Sequence, residues 1–287
     1  MPPKLNRNVS LYAMTWRLPI IFWQFIFFVG PVLFMVAMSF FLVKNYRMTE
    51  AFEFVNWSKM LSRGYFWDSY WYTVFIAAVS TVCAMCIAFP AAFTLAFRAN
   101  ENIRRWAIFL LIIPFFTSYL VRTFSWFVIL SESGVVNAML GTIGLGPYTM
   151  LSTNFGTLVG YMTLTLPLVV ILQTVTMANI DKTLVEAARN LGCSALRTIW
   201  QVIIPLSKTG LIIAAIFCFI LSFGDFVAPF YLGGSQEPTL PILILDTTKS
   251  GQQWPRAAVV AIVMMLTLFA IAFIGIALAY RKPKGAK

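Results

Sequence analysis

Residues 178–208 read ANIDKTLVEAARNLGCSALRTIWQVIIPLSK, a loop between two apolar runs, Phe155–Met177 and Thr209–Tyr231. Each flanking run has the roughly 20 apolar residues that a helix needs to cross a hydrocarbon layer about 30 Å thick. The loop itself has the pattern of two short helices with a break between them. Leu184, Ala187, Ala188 and Leu191 recur at i, i+3, i+4 and i+7, which predicts one apolar stripe. Asp181 is placed to cap the first helix, and Gly192 to end it in the left-handed conformation. Ser194 is placed to cap the second, on which Leu196, Ile199, Trp200 and Ile203 have helical spacing. Pro205 marks the expected bend into the next span. A pair of alanines beside Glu186 makes one helix face thin, which suits docking in a partner's groove. An amphipathic loop packed under its own bundle has the same pattern.

Outward from this loop the chain is almost wholly apolar. It is 60% hydrophobic and 11% charged over 287 residues, with 27 phenylalanines. A soluble domain carries roughly 25% charged residues, so a bilayer is the solvent that fits this one. Six runs are long enough to span: Leu18–Val43, Tyr70–Phe97, Trp106–Leu130, Phe155–Met177, Thr209–Tyr231 and Ala257–Tyr280. The class is therefore all-α integral membrane, with residues 1–17 as an N-terminal tail, 18–280 as a six-span domain, and 281–287 as a basic tail. The first run is too long for a cleaved signal peptide and reads as an anchor. Outside the membrane, residues 45–69 and 131–154 have room for short interfacial helices. Fourteen Lys and Arg fall in the tails and the 98–105 and 178–208 loops, against six in the opposite loops. By the positive-inside rule both termini are expected in the cytoplasm.

The formal net charge of +11 is thus spent on orientation, not on nucleic acid. There is no histidine, which removes the commonest catalytic base and metal ligand. Cys83 and Cys86 sit inside an apolar run and read as small packing residues. No G-x-x-x-x-G-K-[ST] motif occurs, so nucleotide chemistry is expected on another polypeptide. A membrane enzyme would need several acids, cysteines or histidines at one depth, and the spans offer no such set. A stand-alone secondary transporter would leave the 178–208 loop unexplained, and no internal repeat supports one.

Glu186-Ala187-Ala188-x3-Gly192, then nine residues, then Val202-x-Ile204-Pro205, resembles the EAA loop of ABC-importer permeases, whose pattern is EAA-x3-G-x9-I-x-L-P. Val202 and Ile204 depart from that pattern but stay aliphatic. Ile113–Thr123, Leu130–Gly134, Phe223–Pro229 with Leu232-Gly233-Gly234, and Trp254-Pro255 resemble segments of the spermidine/putrescine permeases. The resemblance covers most of the chain after Trp71. It implies a type I importer permease core with a cytoplasmic coupling loop. Leu184, Glu186, Ala187, Ala188, Leu191, Gly192, Ile199, Ile203 and Pro205 would then form the ATPase contact. It also implies a second, homologous permease, an ATPase dimer holding ATP and Mg, a periplasmic substrate-binding protein, and the bacterial inner membrane as location. This chain itself would hold no cofactor. The substrate implied is a polyamine; opines, amino-acid derivatives, quaternary amines and other small solutes remain open.

Two ionisable residues fall within spans, Arg122 and Asp225. Each lies 16 residues beyond its span's inner end, Trp106 or Thr209, so at 1.5 Å per residue both are expected about 24 Å up, at one level. Either they pair with each other or with backbone carbonyls and lock helices together, or they face the pathway. Phe116, Tyr119, Trp126, Phe223 and Tyr231 are the aromatic candidates near that level, and Glu132 is the other acid.

Overall fold

The computed structural model describes residues 7–44, 47–234 and 237–280. The 281–287 tail and the first part of the N-terminal tail, Lys4 included, lie outside the described residues. Six helical stretches are long and apolar enough to cross a membrane: Trp16–Met38, Gly64–Phe97, Tyr119–Thr142, Asn154–Ala178, Ala195–Gly224 and Trp254–Ala279. The expected number of spans stands, and several boundaries move.

Among the described residues of Met1–Gly64 with Ile244–Val263, one compact unit, the first span is α1 (Arg7–Gln24), a π-turn at Phe25–Val29, and α2 (Gly30–Met38). Its large apolar side chains, Ile20 to Phe28 among them, are exposed, as a face toward lipid would be. The helix does not continue to Val43 as the sequence suggested. Leu42–Lys44 (β1) instead pairs antiparallel with Arg47–Thr49 (β2). Asn56, on α3 (Val55–Leu61), donates through Nδ2 to the carbonyls of Ser39 (3.0 Å) and Phe41 (2.7 Å). Those bonds satisfy carbonyls left free where the helix stops. A short helix, α3, does occupy the 45–69 loop, which has room for such helices.

The second unit comprises Tyr65–Leu243 and Met264–Lys287. It holds most of α4 (Gly64–Phe97), then α5 (Glu101–Ile112), α6 (Tyr119–Leu130), α7 (Val135–Thr142) and α8 (Asn154–Ala178). After these come α9 (Lys182–Asn190), α10 (Ala195–Thr198), α11 (Ile204–Gly224) and α12 (Val227–Tyr231). The chain then runs through α13 (Leu240–Lys249) into α14 (Trp254–Ala279). The core forms around α8, which packs along α11 and against α12, α5 and α6. Close approach is possible because α8 carries Gly156 and Gly160 one turn apart. A Cβ at Gly160 would collide with that of Ala228, and one at Gly156 would fall 2.6 Å from the Leu232 carbonyl oxygen. Small residues at i and i+4 are what membrane helices use to bring backbones together. Polar groups tie α4 to this core: the Ser80 and Ser222 hydroxyls, on α4 and α11, lie 3.2 Å apart, and Gln173 of α8 donates to the Met85 carbonyl of α4 at 3.2 Å.

Two expected spans are broken. Trp106–Leu130 is not one helix. After α5 the chain tightens into a 3-10 turn at Ile113–Phe116, and residues 117–118 leave the helix. Pro114 has no N–H to offer the preceding turn, and its carbonyl is taken by the Thr117 hydroxyl at 2.8 Å. The fifth span likewise ends at Gly224, with Asp225 extended, and restarts as α12. At its other end, the helix is continuous through Pro205. It runs on from Ala195 through a π-turn at Ile199–Ile203, and Pro205 sits in the first turn of α11. A proline there is tolerated because its missing N–H falls beside the widened turn.

Candidate functional sites: a two-sided loop and a junction of broken helices

The 178–208 loop forms the first short helix its sequence predicts, α9, but the second is not separate: it is the start of the continuous Ala195–Gly224 helix. The caps fall at the expected residues. The Asp181 side chain accepts from the Thr183 N–H at 3.0 Å, and Ser194 Oγ from the Arg197 N–H at 3.4 Å. Gly192 has φ +82°, the left-handed region where a side chain is costly. The capping bonds hold the Asp181 carboxyl below the usual carboxylate range.

The apolar stripe divides between two faces. Val185 and Ala188 point inward, each 8% exposed, whereas Leu184, Ala187 and Leu191 point out, Leu191 being 85% exposed. The expectation of a single stripe with both alanines is therefore corrected, because neighbouring helix positions lie about 100° apart and adjacent alanines cannot share one narrow face. The second helix divides in the same way. Ile203 is buried and Ile199 packs beside it, while Leu196 and Trp200 are exposed. Val185, Ile203 and Ile199 join one cluster with Ala92 and Ala96 of α4, Met177 at the end of α8, and Ile180. Outward, five apolar side chains and the exposed Glu186 stand uncovered on two helices that the cluster holds to the spans. Val185 was not singled out from sequence; its place between Leu184 and Glu186 gives no periodic signal without knowing which face is inner.

At the other end, one hydrogen bond joins the two helix breaks. The Tyr119 hydroxyl, on the first residue of α6, donates to Asp225 Oδ2 at 2.6 Å. Oδ2 also accepts the Ala228 N–H at 3.1 Å, and Oδ1 the Val227 N–H at 3.0 Å. Asp225 thus caps α12 and clamps the start of α6 to it. Arg122 and Asp225 do not pair. Among the described residues the ion pair found is Arg105–Glu101, at the surface. Arg122 instead donates from Nη1 to the Thr163 carbonyl of α8 at 3.1 Å, and its guanidinium carbon stands 5.8 Å from the Tyr119 ring centre. Of the two ways of locking helices read from sequence, the carbonyl contact is the one present. The uniform helix assumed in counting 16 residues up to Arg122 is interrupted by the 3-10 turn at Ile113–Phe116. Tyr119, one turn before Arg122, is what meets Asp225.

The aromatic candidates are dispersed. Phe223 is 0% exposed and stacks on Phe219 with ring centres 5.5 Å apart, so it offers no surface in this conformation. Tyr231 packs on Phe124 at 4.7 Å. Trp126 is half-buried, Glu132 exposed, and Phe116 86% exposed on the 3-10 turn. Thr163, whose backbone receives Arg122, gave no sequence signal, because any residue supplies a carbonyl. No group of three or more His, Cys, Asp or Glu that could hold a metal occurs among the described residues.

Residues 84–283 match the family described as binding-protein-dependent transport system inner membrane component. The chain is 26% identical over 265 residues to the spermidine/putrescine transport system permease protein PotB of Salmonella typhimurium (strain SL1344), covering 91% of this chain and 92% of that one. To PotB of Escherichia coli (strain K12) it is 27% identical over 252 residues, 87% of this chain and 91% of the other. Its fold matches a chain of a bacterial ABC transporter involved in the import of the acidic polysaccharide alginate, with a TM-score of 0.75 at 18% identity over 97% of each chain. A family match over more than half of its length, on six apolar helices arranged as in that importer, settles membership: the chain belongs to the inner membrane components of binding-protein-dependent transport systems, the ABC importer permeases, which conduct substrate while a separate ATPase hydrolyses ATP.

Proposed function

We propose that this chain is one half of the translocation pathway for a small organic cation of the polyamine class, and that its 178–208 loop is the ATPase contact. Both termini lie in the cytoplasm, on the side where the loop and most Lys and Arg stand. A second, similar permease completes the pathway, with two ATPase subunits below and a binding protein outside. Glu186, Leu184, Ala187 and Leu191 sit on the docking face, with Leu196 and Trp200 beside them. Gly192 sets the angle between the two helices. Val185, Ala188, Ile199 and Ile203 transmit the partner's motion inward.

The two-sided loop is the observation that carries this reading. An uncovered apolar surface of this kind on a short helix pair is unstable in water and marks a contact. Its reverse side is packed on the ends of α4 and α8, so displacement of the loop must move those spans. The substrate class rests on likeness to the spermidine/putrescine permeases along nine-tenths of the chain. The Tyr119–Asp225 junction is proposed as the latch of the outer half, where two interrupted helices can hinge without breaking regular backbone bonds.

A thermal-shift screen of the cognate binding protein tests the substrate. Stabilisation by spermidine or putrescine supports the reading, and stabilisation only by an opine, amino-acid derivative or other neutral or anionic solute replaces it. Co-purification of the ATPase with the wild-type chain but not with Glu186→Lys tests the loop.

A further inference from the structure

A cavity of about 490 Å³ opens at the N-terminal end of α4, lined by Tyr65, Asp68, Ser69, Trp71, Tyr72 and the Glu237-Pro238 turn. A second, of about 250 Å³, adjoins it across Tyr72 and Glu237 and is lined further by Ser152, Thr153, Asn154 and Gly233. Tyr72 is fixed in the shared wall by donating its hydroxyl to Asn154 Oδ1 at 2.6 Å.

Three properties of this cleft point to one chemistry. Asp68 and Glu237 are exposed, and neither has a Lys or Arg nitrogen within 4.0 Å among the described residues. In a chain of net charge +11 that is an unusual pair of uncompensated acids. Most of the rest of the wall is aromatic, Tyr65, Trp71 and Tyr72, the residue class whose ring faces attract organic cations. Finally, the Ser69 hydroxyl, on a residue only 2% exposed, has no hydrogen-bond partner, although the Ser69 carbonyl is used by Thr73 Oγ1. Ser69 lines the cavity, and its unpaired hydroxyl, turned away from the cavity water, meets a ligand's donor once the side chain rotates about χ1. Two carboxylates without a third oxygen-bearing acid do not make a site for a hard metal ion. They do make one for an alkylammonium group, and the volume is that of a small-molecule pocket.

We propose that this cleft is a capture site for the ammonium ends of a linear di- or polyamine, before the cation enters the span region. Asp68 and Glu237 attract the charge, Trp71 and Tyr72 hold the methylene chain, and Ser69 accepts from one ammonium N–H. The substrate class named here rests on the proposed function above; the site itself rests on the cleft.

The test is equilibrium binding of radiolabelled putrescine and spermidine to the complete transporter in lipid nanodiscs without binding protein, with 1,4-butanediol as the uncharged competitor. The amines should bind, the diol should not displace them, and raised salt should weaken binding. Asp68→Asn and Glu237→Gln should each weaken it about threefold to fivefold, and the double variant about tenfold or more. Glu237→Asp should restore most of the loss. Both acids are exposed, so the variants should assemble normally, and size-exclusion chromatography of the purified complexes checks it. No amine binding by the wild type, or unchanged binding by the double variant, overturns the site. Acid-dependent amine binding here, beside a binding protein that selects a non-cationic solute, upholds the cleft and rejects the polyamine reading. A polyamine-selective binding protein with no acid-dependent binding here does the reverse.

Discussion

Removing the Tyr119–Asp225 bond separates the latch from the ordinary stability of its two helices, and its size follows from the geometry. Asp225 makes three bonds, one to the Tyr119 hydroxyl and two to the N–H groups of Val227 and Ala228. Tyr119→Phe removes the first and leaves the carboxylate its two backbone donors, a loss of about 1–2 kcal/mol. Asp225→Ala strands all three donors, of which each buried one costs about 1–3 kcal/mol. With Tyr119→Phe already in place, the same alanine strands only two. The double variant should therefore be milder than the sum of the singles by about 1–2 kcal/mol. Asp225→Asn is an internal control. Its single oxygen can serve Tyr119 and Ala228 or Val227, but one backbone N–H must face the amide NH2, a cost of about 1–3 kcal/mol. Denaturant titration of the permease in mixed micelles gives the four free energies, and uptake by the assembled transporter gives the functional readout. Additivity within about 0.5 kcal/mol would mean that the two breaks are not energetically joined, and the latch would be refuted.

Gly160→Ala should destabilise the bundle by about 1–3 kcal/mol through overpacking on Ala228, and Ala228→Gly in the same chain should restore part of it; thermal inactivation of the purified protein reads both. Glu186→Lys and Gly192→Pro should abolish substrate-stimulated ATPase activity while leaving membrane insertion intact, and complexes of either variant that keep that stimulation would exclude the docking role. The folded-state pKa of Asp181 is lowered, so its capping contribution is present above the unfolded carboxylate value, about 3.9, and is lost as pH falls through the folded value. Amide exchange at the start of α9 should accelerate on acidification below about pH 4, and Asp181→Ala should already exchange fast at neutral pH.

The loop's caps were legible because capping is a local property. Asp181, Gly192 and Ser194 each act within three residues of themselves. The six spans were legible because hydropathy sums over whole helices. What summation hides is an interruption. Pro114 followed by Thr117 and Ser118, and Gly224 followed by Asp225, are stop-and-cap signals of the kind read in soluble proteins, but they lie inside apolar runs that are each long enough to span. The β1–β2 hairpin was hidden for the opposite reason: three-residue strands leave no periodic trace. Nor could the sequence say which side of the loop faces inward, since Leu184-Val185 and Ala187-Ala188 are apolar on both. The cleft at Ser69 is further out of reach. Its walls come from residues more than 150 positions apart, and an unpaired hydroxyl becomes visible only when its surroundings are known.

The loop and the latch are connected through one element. The Ala178 end of α8 packs on the 178–208 loop through Met177, and its middle receives Arg122 at Thr163 and Ala228 at Gly160. Pro167 lies within this helix, yet α8 is unbroken from Asn154 to Ala178. The helices that are broken, at residues 117–118 and at Asp225, flank α8 away from the 178–208 loop. In the coupling proposed above, a continuous helix next to two interrupted ones divides the labour mechanically. The continuous one carries displacement from the loop, because its backbone bonds cannot be redistributed without cost. The interrupted ones absorb it, because their backbone groups are already satisfied by side chains, Thr117 and Asp225. Adjacency alone does not demonstrate energetic coupling. It does fix where coupling must appear: a substitution at Gly160 that spares the loop should change the ratio of transport to ATP hydrolysis, whereas one at Tyr119 should change transport with hydrolysis still responsive to the loop.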